Sequence, residues 1–283
     1  MFFTKRISYE AVFLLGVCLL FFLLRFPSLF EPYWYGDEGV YFTIGKALNQ
    51  GRFLYTEIWD NKPPLLYLFY AVFNDLFSIR FASLAFGLAS VITFFFLARE
   101  FFRRKIAQYT TTFLFSLFFG LPTLEGNIAN AENFLLFPVV TSAFLFWRSI
   151  QQNPEEKSLT KKHQRLFRYT LFVSGLLLGI ASLFKIVAVF DFAAFLLFAF
   201  FIDIENTHAL RKTVASIVNR YLPYIAGFFL PLLMTSVFFF TQGALREFLE
   251  TILLRNVSYV GEKNVFFIPH GFLFLKFSLL LLG

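Results

Sequence analysis

Apolar residues run through this chain in nine blocks, and their spacing limits the possible folds more than any other feature. The blocks cover residues 10–30, 64–77, 80–98, 106–121, 134–148, 169–184, 186–202, 221–240 and 271–283. Several approach the roughly 20 residues that a helix needs to cross a bilayer. Of 283 residues, 58% are hydrophobic and 15% charged, and mean hydropathy is +0.67, far above the range of soluble domains. The sequence therefore predicts an all-α polytopic membrane protein, with residues 1–283 as a single transmembrane domain. Most of the 47 Phe sit in runs such as ITFFFL and SVFFFT, where any large apolar side chain would serve.

Charge orients the blocks. The start, MFFTKRISYE, precedes a long apolar run with no small-residue cleavage site, which reads as an uncleaved anchor. With that start, the loops 99–105, 148–168 and 211–220 hold 15 of the 25 basic residues, so they are assigned to the cytoplasm. Residues 31–62 then lie outside and 99–105 inside, which allows only an odd number of crossings between them. Two apolar blocks lie there. The first, 64–77, is short and ends at Asn74 and Asp75. It is expected to lie at the outer surface, leaving 80–98 as the span. Residues 31–79 become one external loop with two juxtamembrane helices; further external loops cover 122–133 and 241–270. The last block stops mid-span at Gly283, so the chain is expected to be incomplete.

Composition excludes several chemistries. One cysteine, Cys18, allows neither an intramolecular disulfide nor a thiolate metal site, and His163, His208 and His270 are scattered. The net charge of +7 follows from cytoplasmic loops and needs no nucleic acid. No metal ligand set is assigned and no cofactor is required, although a divalent metal remains compatible with the sequence.

The acids collect in the external segments, which places any chemistry there. In WYGDEGVYFTIGKALNQG, Asp37 suits the N-cap of a helix closed by Gly51, and equally a general base at the membrane surface beside Glu38. In WDNKPP, the prolines suit a helix start, and Lys62 beside free helix N–H groups suits a phosphate. Glu132 enters a span, capped by Asn130, as a dipole-stabilised acid or as a second carboxylate facing Asp37. Lys185 and Asp191 interrupt apolar sequence. They suit a mutual ion pair, a snorkelling lysine, or a functional cavity. Beyond residue 245, Arg255, Asn256, Tyr259 and His270 are polar candidates in what is otherwise a solvated loop.

The order of these motifs resembles the GT-C superfamily of membrane glycosyltransferases. The likeness is to the protein O-mannosyltransferase-like branch, which includes the lipid A aminoarabinose transferases. It runs through about residues 5–280, and GDEGVYFTIGKALNQGRFLY with WDNKPPLLY is its most specific part. The resemblance implies a GT-C-type helix bundle. It also implies transfer of a sugar, with inversion, from a polyprenyl-phosphate donor to a lipid, glycan or protein acceptor on the outer face of a prokaryotic plasma membrane. Asp37 would be the catalytic acid, with Glu38 beside it. Lys62 would lie near the carrier phosphate, Glu132 would be a second acid with Asn130 at its side, and Lys185 would line the lipid-side cavity. Arg255, Asn256 and Tyr259 align loosely as substrate contacts. Asn61 stands where the lipid A enzymes tend to carry an acid, which argues against aminoarabinose. A lipid-linked sugar flippase or exporter, or an inactive transferase fragment, is the alternative. A flippase should carry polar residues through the inner halves of its spans.

Overall fold

The computed structural model describes residues 9–151, 161–207 and 210–255. Every regular element among them is helical. Ten α-helices follow in order: α1 Tyr9–Arg25, α2 Gly36–Asn49, α3 Pro64–Val72, α4 Leu76–Phe101, α5 Lys105–Gly120, α6 Ala131–Gln151, α7 Lys161–Phe184, α8 Ala188–Thr207, α9 Leu210–Thr241 and α10 Leu245–Leu249. A 3₁₀ segment, Phe26–Phe30, extends α1, and a π-helical turn, Glu250–Arg255, follows α10.

Among the described residues, five segments are long and apolar enough to cross a membrane: Tyr9–Phe30, Leu76–Phe101, Ala131–Gln151, Lys161–Phe184 and Arg220–Thr241. Two other expected spans are also helical but differ in length or charge. Helix α5 has 16 residues, about 24 Å at 1.5 Å per residue, and packs between α1 and α4. Helix α8 carries Asp191, Asp203 and Glu205 within its apolar sequence. Helix α3 has only nine residues and stops well short of a crossing, as the parity of the loops requires. The block at 271–283 lies outside the described residues.

Small residues set the closest approaches. A Cβ on Gly175 of α7 would stand 1.9 Å from the Tyr224 carbonyl oxygen of α9, and one on Gly227 would stand 2.1 Å from the Phe172 carbonyl. Lipid offers no hydrophobic drive between helices, so van der Waals contact of this kind holds such a pair together. Helix α2 meets α3 by the same device: a Cβ on Gly45 would fall 2.7 Å from the Tyr70 carbonyl carbon. Around that contact Tyr41, Tyr67, Tyr70, Phe134 and Phe184 form the core that joins α2 and α3 to α6 and α7. The two short helices are therefore built into the end of the bundle.

Candidate active site

Helix α2 follows the extended Tyr35 and ends where Gly51 turns at φ +83, a left-handed geometry open to glycine. Tyr35, and not Asp37, occupies the N-cap. The reason is that the helix already begins at Gly36, which puts Asp37 and Glu38 in its first turn, where the dipole favours carboxylates. Successive helix residues point about 100° apart, so the two acids face different surroundings.

Glu38 faces inward. It is fully buried, and its Oε1 accepts from Arg80 Nε at 3.1 Å and from the Ala129 backbone N–H at 2.8 Å. Its Oε2 accepts from Arg80 Nη2 at 2.6 Å. Arg80 Nη1 donates to the Ser28 and Glu31 carbonyls, both at 2.7 Å. The expectation that Glu38 meets substrate beside Asp37 is corrected here: its carboxylate ties α2 to α4 and to the loop before α6. Two buried charges are tolerable only with such complete bonding.

Asp37 faces a cleft of about 390 Å³. Its Oδ2 accepts from the Tyr41 hydroxyl at 3.1 Å. Lys62, Asn130, Glu132 and Lys185 line the same cleft, as do Tyr35, Tyr41, Asn61 and Glu125. Burial and then the Asp37 carboxylate push the Tyr41 hydroxyl well above its ordinary value. Burial, followed by Glu125 and Asp37, pushes Tyr35 up to about 12. Both phenols therefore stay protonated at neutral pH and act as donors, which leaves the carboxylates as the proton acceptors.

Local chemistry fixes each lining residue. The Tyr55 hydroxyl donates to the Lys62 carbonyl at 2.8 Å, and the Lys62 N–H donates to the Tyr67 hydroxyl at 3.1 Å. Tyr67 in turn donates to Asp60 Oδ2 at 2.7 Å. This clamp holds Lys62 just before Pro64, which opens α3 as expected of its fixed φ. Lys62 Nζ donates to Asn61 Oδ1 at 3.0 Å. Asn130 caps α6, its Oδ1 accepting from the Asn133 N–H at 3.0 Å. Glu132, in the first turn of α6, forms an ion pair with Lys185. The mutual pair of Lys185 with Asp191 does not form. Lys185 stands at the break between α7 and α8, where Glu132 is in reach.

Sequence reasoning did not assign Tyr35, Tyr41, Asn61, Glu125 or Arg80 to the site. Arg80 had a usable signal, a charge opening an apolar block. Asn256, Tyr259 and His270 lie outside the described residues, and so does the side chain of Arg255. Among the described residues, no three His, Cys, Asp or Glu side chains gather as a metal site.

Helices of membrane-crossing length, with a cleft of three carboxylates and two lysines at one end of their bundle, define an integral membrane protein with a polar site. The chain belongs to the dolichyl-phosphate-mannose-protein mannosyltransferase family, whose profile matches residues 55–242. The matched segment contains Lys62, Glu125, Asn130, Glu132 and Lys185; Asp37 and Glu38 precede it. No curated protein and no solved structure matches the chain. Family membership makes the protein a GT-C-type glycosyltransferase that uses a polyprenyl-phosphate sugar donor.

Proposed function

We propose that the cleft transfers the sugar of a polyprenyl-phosphate donor to an acceptor hydroxyl or amine on the outer face of the membrane, with inversion. The observation that carries this reading is the convergence of Asp37, Lys62, Glu132 and Lys185, from four separate segments, on one cleft. The donor phosphodiester bears one negative charge. Lys62, whose ammonium meets the neutral side chain of Asn61, neutralises it and makes the phosphate a better leaving group. Asp37 takes the acceptor proton as the acceptor attacks the anomeric carbon. The bond from that carbon to the phosphate oxygen breaks, and its electron pair leaves with the polyprenyl phosphate. Lys185 reaches the phosphate by exchanging Glu132 for it, which frees Glu132 to accept from a substrate hydroxyl.

The placement of basic residues supports the outer face. Arg99, Arg103, Arg104 and Lys105 lie at the turn between α4 and α5, and Arg148 in the last turn of α6. The cleft is built at the opposite ends of α4 and α6. Basic turns mark the cytoplasmic side.

The test is Asp37→Asn in membranes supplied with labelled dolichyl-phosphate mannose. Loss of a general base should lower transfer by about 10²- to 10⁴-fold. Undiminished transfer would remove Asp37 as the base.

A further inference from the structure

Glu125 lines the cleft without any role in the scheme above. It ends a short 3₁₀ turn, Pro122–Leu124, with φ +59 and ψ +21, left-handed values that disfavour an L side chain other than Asn or Asp. The neighbouring chain leaves it no alternative path. Gly126 is pressed against the end of α5, where a Cβ would fall 2.7 Å from the carbonyl oxygens of Leu121 and Phe119. Its N–H donates to the Leu121 carbonyl at 3.0 Å, while the Glu125 N–H donates to that of Pro122 at 3.0 Å. Glycine would suit the Glu125 backbone better, yet the position carries a long carboxylate turned to the cleft.

That carboxylate is only lightly used by the protein. Tyr35 donates to Oε1 and Asn130 to Oε2, each at a long 3.3 Å. Both donors are neutral, and no ion pair to Glu125 occurs among the described residues. An ionised carboxylate offers about four acceptor sites, so about two remain for a ligand. Adjacent hydroxyls on a sugar ring match such a bidentate acceptor.

Position selects the sugar over the lipid. The phosphate belongs with Lys62 and Lys185, and the attacking group with Asp37, so the sugar ring lies between them. Asn130 links Glu125 directly to the start of α6, where Glu132 stands. Glu125 thus flanks the ring.

We propose that Glu125 is a specificity-determining residue that receives vicinal hydroxyls of the transferred sugar. The inference rests on the reading that this cleft holds a lipid-phosphate sugar.

The experiment compares two probes, dolichyl-phosphate mannose and dolichyl phosphate, binding to the purified full chain and to Glu125→Gly. Losing hydrogen bonds to a charged group should weaken dolichyl-phosphate mannose by about ten- to a hundredfold. Dolichyl phosphate, which has no sugar, should bind as before. The unfolding temperature should hold or rise, because glycine suits the left-handed backbone. If Glu125→Gly folds poorly, Glu125→Gln must give the same split between probes. Equal weakening of both lipids, or of neither, overturns the proposal. If Lys62→Met leaves the binding of dolichyl phosphate unchanged, the phosphate-binding cleft itself is wrong, which separates that failure from an error about Glu125.

Discussion

Glu38–Arg80 and Glu132–Lys185 are both ion pairs at the end of the bundle that holds α2 and α3, yet their surroundings are opposite. The first pair has no exposed side-chain surface; in the second, Lys185 is 28% and Glu132 53% exposed. A buried pair has lost its hydration and depends on every remaining bond, so removing one partner strands the other. A pair open to water contributes about 0–1 kcal/mol, because solvent replaces the partner readily. The buried pair is therefore suited to hold the fold, and the open pair to change partners when an anion arrives.

The strongest consequence concerns the buried pair. Arg80→Met should destabilise the protein by about 3–5 kcal/mol, read as unfolding in detergent, because Glu38 is left charged and unpaired. The double change Glu38→Leu with Arg80→Met should recover much of that loss. A cost for Arg80→Met no larger than that for Lys185→Met would erase the distinction between the two pairs.

The open pair should show its effect in binding. Lys185→Met should alter stability by less than about 1 kcal/mol. Lys62→Met should weaken dolichyl phosphate by about ten- to a hundredfold, and Lys185→Met by less, since Lys185 must first leave Glu132. Titration with the labelled lipid checks the order of the two.

Asp75 gives the smallest effect and a third kind of carboxylate, exposed and held by hydrogen bonds alone. It caps α4, its Oδ1 accepting from the Ser78 N–H at 2.9 Å. The Ser78 hydroxyl, and then its backbone N–H, hold the Asp75 carboxyl below the usual range. A depressed carboxyl contributes its stability above its unfolded value, and that share fades as pH falls through the folded one. Asp75→Ala should cost about 1 kcal/mol near neutral pH. The gap from the parent should close on acidification, as followed by unfolding at several pH values.

Turn and cap residues carried part of the site into view. Pro64 marks the start of α3, Gly51 the turn after α2, and Asn130 the cap of α6, all through backbone rules that act over a few residues. The count of loops required a short helix at 64–77, and α3 is one. Glu125 escaped because nothing adjacent in sequence signals a left-handed glutamate facing a cleft 90 residues from Tyr35. Arg80, a charge opening an apolar block, also went unassigned, because its partner lies 42 residues earlier.

Hydropathy and charge by themselves determined that this chain forms membrane-crossing helices and that Asp37 and Lys62 belong to one segment between the first two long apolar blocks. These properties depend on composition over a window or on neighbours along the chain. The tertiary structure decided which of two adjacent acids faces the cleft. Asp37 and Glu38 are equivalent in sequence. The rotation of α2, fixed by Gly45 against Tyr70 and by Arg80 reaching from α4, turns Glu38 into the protein and leaves Asp37 beside Lys62, Glu132 and Lys185. Such a choice depends on distant segments packing together.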